Sequence, residues 1–558
     1  IWDGVYYTGV SAVDRDGKNW KDYTGFNDAD PNPLLATRII HAFGDSGQNV
    51  LMLNRGSDEG KDRLYQDVIK VSTLTGAHQT VVQNPGNVVG WVVDRQGVVR
   101  LGVTAEGLRF GAIHRQSEQD PWRQLPLFDE KLGNIRPLGF DRDAQQLVVA
   151  TTSDRKRRAV HFYDLAEGRL GELIAGHDHY DIVPEIGAPR VDGVSLAAPI
   201  SSELAGTVVG VRYVTEGPRV RWFDPGLTAL QAAVDRALPQ TLNLITSRSR
   251  DEKRFLILAF SDRDPGAYYL LDLQSGKPVF GQLGARVQDF PVERMAPMFP
   301  IQYPARDGEV IHGYLTQPLG EKKTGLPLVV LPHGGPNVRD VWGYNPLVQF
   351  LASRGYAVLQ MNYRGSPGYG TEFFEKGKRE VGRGIQTDIE DGARWTIAEG
   401  LADPGRIAIV GGSYGGYSAL YALGHSPGLY RCGISIAGVT DWAEITKKRR
   451  GEEYKFAFLH FKQWIGDLET DAEFLAAISP VNFAGRIKAP VLIVQGKEDR
   501  TVPPNQARRM ATALEQAGHK PQTIYFSGEG HSFKQEKNRA RLFREIEAFL
   551  AKNLAPGG

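Results

Sequence analysis

Two rhythms of apolar residues divide this chain. Over residues 1–295 the apolar runs are short and β-rich: VVGWVV, QLVVATT, TVVGVRYV, FLILAF and AYYLLDL, each broken by Asp, Gly, Asn or Pro turns. Long helical patterns are almost absent there. The strand–turn units VSTLTG, FYDLAEG and LLDLQSG close on Gly76, Gly168 and Gly276, which are 92 and 108 residues apart. Those separations are about twice the ~40–50 residues of a propeller blade. A second echo, VVDRQG around Asp94 and GFDRDA around Asp141, is offset by 47 residues. The pattern predicts an all-β propeller of six or seven blades, the first incomplete, with a β-sandwich array as the competing arrangement.

From about residue 296 the rhythm changes. FPIQYPARDGEVIHGYLTQP predicts a hairpin around Asp307-Gly308. Continuous apolar strands then alternate with helical stretches: PLVVLPHG, AVLQMNYRG, RIAIVGG, CGISIAG, PVLIVQG and TIYFSG. Strands apolar along their whole length belong to a parallel sheet covered on both faces, a doubly wound α/β arrangement. In the last helix Leu542, Phe543, Ile546, Phe549 and Leu550 share one side, as docking on such a sheet requires. The expected domains are therefore 1–295 and 296–558.

Composition narrows the function classes. The 558 residues are 41% hydrophobic and 23% charged, and 66 basic against 65 acidic residues leave a net charge of +1. That balance removes the electrostatic case for a nucleic-acid or anionic-membrane partner. No apolar run reaches the ~18–20 residues of a spanning helix. The one cysteine, Cys432, excludes an internal disulfide framework and a cysteine-based metal cluster, and its apolar setting predicts a buried inert thiol. The opening IWDGVYY has neither an initiator Met nor a signal-peptide pattern; it reads as a processed or truncated start, leaving cytoplasmic and periplasmic or secreted locations both open.

The chemistry concentrates in GRIAIVGGSYGGYSALYALG, residues 405–424. Gly411 to Gly415 form Gly-x-Ser-x-Gly between a strand and a helix, the context in which a strained turn presents a serine hydroxyl above a sheet. A serine needs a base to take its proton and an anion to orient that base. Only His519 and His531 follow late enough; His519 reads as a surface residue at a helix end, and His531, in the Gly-bracketed loop GEGHSF, as the base. Of Asp441, Asp467, Asp471 and Asp499, the last follows the strand VLIVQG at the required edge, with Glu498 as the fallback; Asp441 reads as a helix cap or wall residue. Oxyanion donors are expected from the N–H of Tyr414 and from the PHGGP loop with Gly334 and Gly335.

The set HGGP, NYRGSPGYG, GGSYGGY, GKEDRTVP and GEGHSF, in this order, resembles the prolyl oligopeptidase family of serine peptidases, with the acylaminoacyl-peptidase branch nearest. The resemblance implies an α/β hydrolase domain with a mostly parallel doubly wound sheet, preceded by a β-propeller that restricts access to short peptides. It implies Ser413, Asp499 and His531 as the catalytic triad, no cofactor, no metal, oligopeptide substrates and a homo-oligomer. Some relatives place a tyrosine hydroxyl where His333 stands, so backbone donation is expected here. Arg364, beside the site, reads either as an anchor for a peptide carbonyl or carboxylate or as a salt-bridged structural residue. Tyr417, Trp442 and Trp464 read as pocket walls or as core aromatics. Dipeptidyl-peptidase relatives hold a free ammonium with a glutamate pair in the propeller; the only adjacent pair here, Glu452-Glu453, lies in the other half. KKRRGEEYK (447–455) reads as a solvated excursion, and GHDHYD (176–181) could set His177 and His179 on one strand face as metal ligands. An esterase on the same machinery and a non-enzymatic propeller scaffold are the rival readings.

Overall fold

The computed structural model describes all residues except 1–9, 15, 23–35, 44–47, 55–64, 129–133, 143, 154–155, 321–322, 449–454 and 556–558. The chain divides into two compact units. One holds residues 1–155, 159–176 and 449–460, and the other residues 156–158, 177–448 and 461–558. Most of the 447–455 excursion, and with it Glu452-Glu453, lies outside the described residues.

The N-terminal half forms blade-like antiparallel sheets, an all-β propeller arrangement. In the first unit three four-stranded sheets span residues 36–82, 88–125 and 136–175. In the second, a three-stranded sheet spans 198–222 and a four-stranded one 242–285. Five such sheets are found among the described residues, where length alone predicted six or seven. Part of the chain is spent otherwise: residues 176–197 carry only a two-by-two-residue ribbon, and a 13-residue helix occupies Pro225–Ala237. The three repeat glycines all sit at positive φ (81°, 63° and 77°) in the turn joining the third and fourth strands of the first, third and fifth sheets. Their spacing was double a blade because they mark alternate blades. Asp94 and Asp141 sit in the first turn of consecutive sheets, which is why they lie one blade apart.

The C-terminal half is one eight-stranded sheet with helices on both faces. Its strands are β1 (Met298–Pro304), β2 (Val310–Thr316), β3 (Leu326–Val330), β4 (Ala357–Asn362), β5 (Ala402–Gly412), β6 (Cys432–Ile436), β7 (Val491–Gly496) and β8 (Gln522–Phe526), in the order β1-β2-β4-β3-β5-β6-β7-β8. β1 and β2 form the expected hairpin, with Pro304 opposite Val310 and Gly308 at φ 86° in the turn. From β4 to β8 every pairing is parallel. Alternation along β5 shows how the sheet is filled. Ile407 and Ile409 join a core containing Ile385, Ile389, Leu420 and Leu423, from helices α1 (Gly384–Ala398) and α2 (Tyr414–His425). Ala408 and Val410 join Leu542, Ile546, Phe549 and Leu550 of α3 (Glu536–Asn553), the amphipathic last helix. Apolar burial on both faces fixes the register, since a one-residue slip would exchange the two cores. Cys432 is fully buried, and burial pushes its thiol up to about 12.

Candidate active site

The sheet delivers its functional residues to the C-terminal ends of β3, β5, β7 and β8. At the end of β5, Ser413 has φ 57° and ψ −118°, a conformation that a side-chain-bearing residue adopts only under constraint. The constraint is visible. Ser413 N–H donates to Ile436 O at 2.8 Å, tying the turn to the end of β6, and Tyr417 N–H donates to Ser413 O at 3.1 Å, opening α2. The flanking glycines are obligatory: a Cβ on Gly411 would fall on the backbone of Gly415, and one on Gly415 on the carbonyl of Pro332. Ser413 itself is half-buried in this turn.

Asp499 follows β7 and is fully buried, while the His531 side chain keeps 28% of its surface open. His531 Nδ1 donates to Asp499 Oδ2 at 2.8 Å. The same oxygen accepts from Gln495 Nε2 at 3.1 Å, and Oδ1 accepts from the N–H groups of Thr501 and Val502, both at 2.9 Å. The four donors around it fix this carboxylate in one orientation. The loop carrying His531 is clamped separately. The buried Glu529 accepts from Lys534 N–H at 2.8 Å, Gln535 N–H at 3.0 Å and Asn538 Nδ2 at 2.8 Å. Glu498, the fallback acid, instead accepts Glu529 N–H at 2.9 Å. His519 lies half-buried away from this pair, with Nε2 3.2 Å from Lys488 Nζ.

The PHGGP loop comes against the serine turn, where a Cβ on Gly334 would stand 3.3 Å from Gly412 O and 3.5 Å from Ser413 Cβ. Gly335 has φ 119°, and a Cβ there would crowd Asn337 N at 2.7 Å. Tyr414 takes the first helical position, where the backbone N–H has no acceptor within the helix. His333 is buried under this loop. Its Nε2 lies 3.0 Å from Ser366 Oγ, its Nδ1 lies 2.9 Å from Tyr363 Oη, and its ring stacks on Tyr363 at 4.1 Å. Burial holds its pKa down at about 4, so the ring is neutral.

Arg364 is committed elsewhere. Its Nε and Nη2 grip Asp388 at 2.8 and 2.6 Å, and Nη1 reaches Asp307 at 2.8 Å, so the guanidinium pins α1 to the sheet rather than facing a ligand. Tyr417, Trp442 and Trp464 are 0, 1 and 4% exposed and belong to the core beneath the turn. Tyr417 meets Trp442 edge-on at 5.0 Å, and Trp464 packs on Phe374 at 4.6 Å. They support the site and offer no surface to a substrate. Asp441 caps a helix, its Oδ1 accepting Glu444 N–H at 2.9 Å. His177 lies outside any strand, its Nδ1 accepting from His179 N–H, and no group of three metal-ligating side chains occurs among the described residues. The sequence reading missed Gln495, Glu529, Tyr363 and Ser366. All four stood in stretches already singled out, VLIVQG, GEGHSF and NYRGSPGYG, without their roles being read.

A nucleophile-elbow serine, a loop of glycine amides and a histidine–aspartate pair on a mostly parallel sheet define a serine hydrolase of the α/β type. Residues 342–557 match the family model described as the prolyl oligopeptidase family. Dipeptidyl aminopeptidase BIII of Pseudoxanthomonas mexicana is 28% identical over 507 residues, covering 88% of this chain and 70% of the relative. The acylamino-acid-releasing enzyme of Sus scrofa is 28% identical over 264 residues, 46% of this chain and 35% of the relative. The crystal structure of puromycin hydrolase superposes with a TM-score of 0.72 at 21% identity, covering 96% of this chain and 81% of that one. This last likeness extends the shared fold through the N-terminal half.

Proposed function

We propose that this chain hydrolyses short peptides through an acyl-enzyme, with Ser413 as nucleophile, His531 as general base and acid, and Asp499 holding the imidazolium. The observation that carries this reading is the His531 Nδ1 to Asp499 Oδ2 bond of 2.8 Å at the same sheet edge as the strained Ser413. In the first step His531 takes the hydroxyl proton as Ser413 Oγ attacks the scissile carbonyl, and the N–H of Tyr414 with the Gly334/Gly335 loop stabilises the oxyanion. The proton then passes to the leaving amine, and water repeats the sequence on the ester. The propeller, residues 1–295, limits substrates to short peptides ahead of the catalytic domain, 296–558. No step needs a cofactor.

Specificity has two candidate forms. The sequence motifs resemble the acylaminoacyl-peptidase branch, which takes blocked amino termini. The relative covering 88% of the chain is named a dipeptidyl aminopeptidase, which favours release from a free amino terminus as the second reading. Peptides of graded length, free or acetylated at the amino terminus, are incubated with wild type and Ser413→Ala and the products read by mass spectrometry. Cleavage confined to short peptides and abolished in the variant is expected, and the preferred end names the branch. Undiminished cleavage by Ser413→Ala would overturn the assignment of the nucleophile. Ester turnover without any peptide cleavage would make the protein an esterase.

A further inference from the structure

Apart from the serine and its partners, the second unit encloses a cavity of about 380 Å³ against the β1–β2 hairpin. That volume lies within the ~300–1,000 Å³ range of small-ligand sites. Its walls include Tyr180, Glu216, Gln302, His312, Tyr314 and Tyr369. Gln302 and His312 are cross-strand partners, and Tyr314, two residues on from His312, shares their face of the hairpin. On the sheet, β2 is separated from β5 by β4 and β3, three strand spacings or ~14 Å. The cavity is therefore no part of the Ser413 turn.

We propose that this cavity binds a small organic cation, a primary ammonium or a guanidinium, between its phenol rings and the carboxylate of Glu216. Glu216 is the only carboxylic side chain on the wall, it is exposed, and among the described residues no ion pair involves it. Three further polar groups on the wall, Tyr180 Oη, the Gln302 amide and the ring nitrogens of His312, have no hydrogen-bond partner among the described residues. Each can accept from an N–H donor. His312 stacks on Tyr369 at 4.5 Å and 15°, and burial with nearby Arg339 and Arg157 holds its pKa at about 4, so its ring adds an acceptor and no positive charge. The nearest buried cation, Arg339, is turned to the wall: it lies 4.2 Å from the Tyr369 centroid and bonds Tyr369 Oη and Thr215 O at 2.8 and 3.2 Å. The open acceptors, the aromatic rings and the single carboxylate together suit a cation better than an anion.

The cation could be a free metabolite-sized amine or the Lys or Arg side chain of a peptide, and two arms of one experiment separate them. The first titrates n-butylammonium and n-butylguanidinium chloride into the full chain by calorimetry, with wild type, Glu216→Gln, His312→Phe and wild type whose Ser413 has been blocked by a fluorophosphonate. Saturable binding of about 1 mM or tighter, weakened at least tenfold in Glu216→Gln and unchanged by the serine block, is expected. No saturable binding, equal affinity in Glu216→Gln, or loss on blocking Ser413 would each overturn the site. The second arm rests on the peptidase reading and compares KM for peptides carrying Lys or norleucine four or five residues from the cleaved bond. A KM advantage for Lys that vanishes in Glu216→Gln assigns the cation to the substrate, and equal KM with intact butylammonium binding assigns it to a free amine. Because the first arm needs no turnover, its failure is distinct from failure of the peptidase assignment.

Discussion

At the scale of single residues, charge and burial set two testable behaviours. The His333 imidazole is buried between Tyr363 and Ser366, and its pKa falls from an ordinary 6.5 to about 4. Between those values the unfolded chain takes up a proton that the folded chain refuses. Stability therefore falls as pH drops from 6.5 towards 4, by up to about 1.4 kcal/mol per pH unit for this one group. His312, also held at about 4, acts in the same direction. Denaturant melts of wild type and His333→Asn at pH 7.0, 6.0 and 5.0 isolate the effect. The stability difference between the two proteins should narrow or reverse as the pH falls, and a constant difference would show that His333 titrates normally in the folded state. A second residue-scale test concerns Gln495, fully buried with its Nε2 on the oxygen that holds His531. Gln495→Leu removes one of four donors to Asp499, and kcat should fall about tenfold while KM stays put.

At the scale of elements, the turn between β5 and α2 is where backbone space decides activity. A methyl on Gly415 would meet the Pro332 carbonyl, whereas one on Gly334 would have 3.3 Å to its nearest neighbour. Gly415→Ala should cost about 1–3 kcal/mol of stability and abolish turnover by displacing the oxyanion loop. Gly334→Ala should cost less stability than Gly415→Ala. Thermal melts beside turnover of a short peptide check both, and a fully active Gly415→Ala would refute the packing argument. These elements also show what the chain discloses by itself. The apolar strands of the C-terminal half, the elbow, Asp499 and His531 were legible because each is a local pattern followed by a characteristic edge residue. The blade echoes were legible too, because Gly76, Gly168 and Gly276 answer to one local demand, a positive φ in a hairpin turn. The commitments of Arg364 to Asp388 and of Glu529 to Asn538 were not. Those pairings join residues 24 and 9 positions apart whose meeting depends on tertiary packing, which no periodicity encodes. The same holds for Tyr417 and Trp442, aromatic in sequence and silent about which side of the wall they occupy until their burial is known.

At the scale of the whole molecule, size and charge bear on which substrates reach the serine. Sixty-six basic and 65 acidic residues leave almost no net field, so long-range steering of a charged peptide should be weak. The kcat/KM for a blocked peptide bearing one charge should change less than about twofold between 50 and 500 mM salt, because there is almost no net field to screen. A steep salt dependence would point to a local charged surface that the net charge conceals. The propeller makes the opposite kind of demand, a steric one independent of salt. If it restricts entry as proposed, a peptide of about five residues and an unfolded protein bearing the same cleavable sequence should differ in kcat/KM by orders of magnitude at every ionic strength. The short peptide should compete with a short ester that acylates Ser413, and the unfolded protein should leave ester turnover unchanged. Equal cleavage of peptide and unfolded protein would leave the triad intact and remove the propeller from substrate selection, since discrimination by the pocket alone would treat identical local sequences alike.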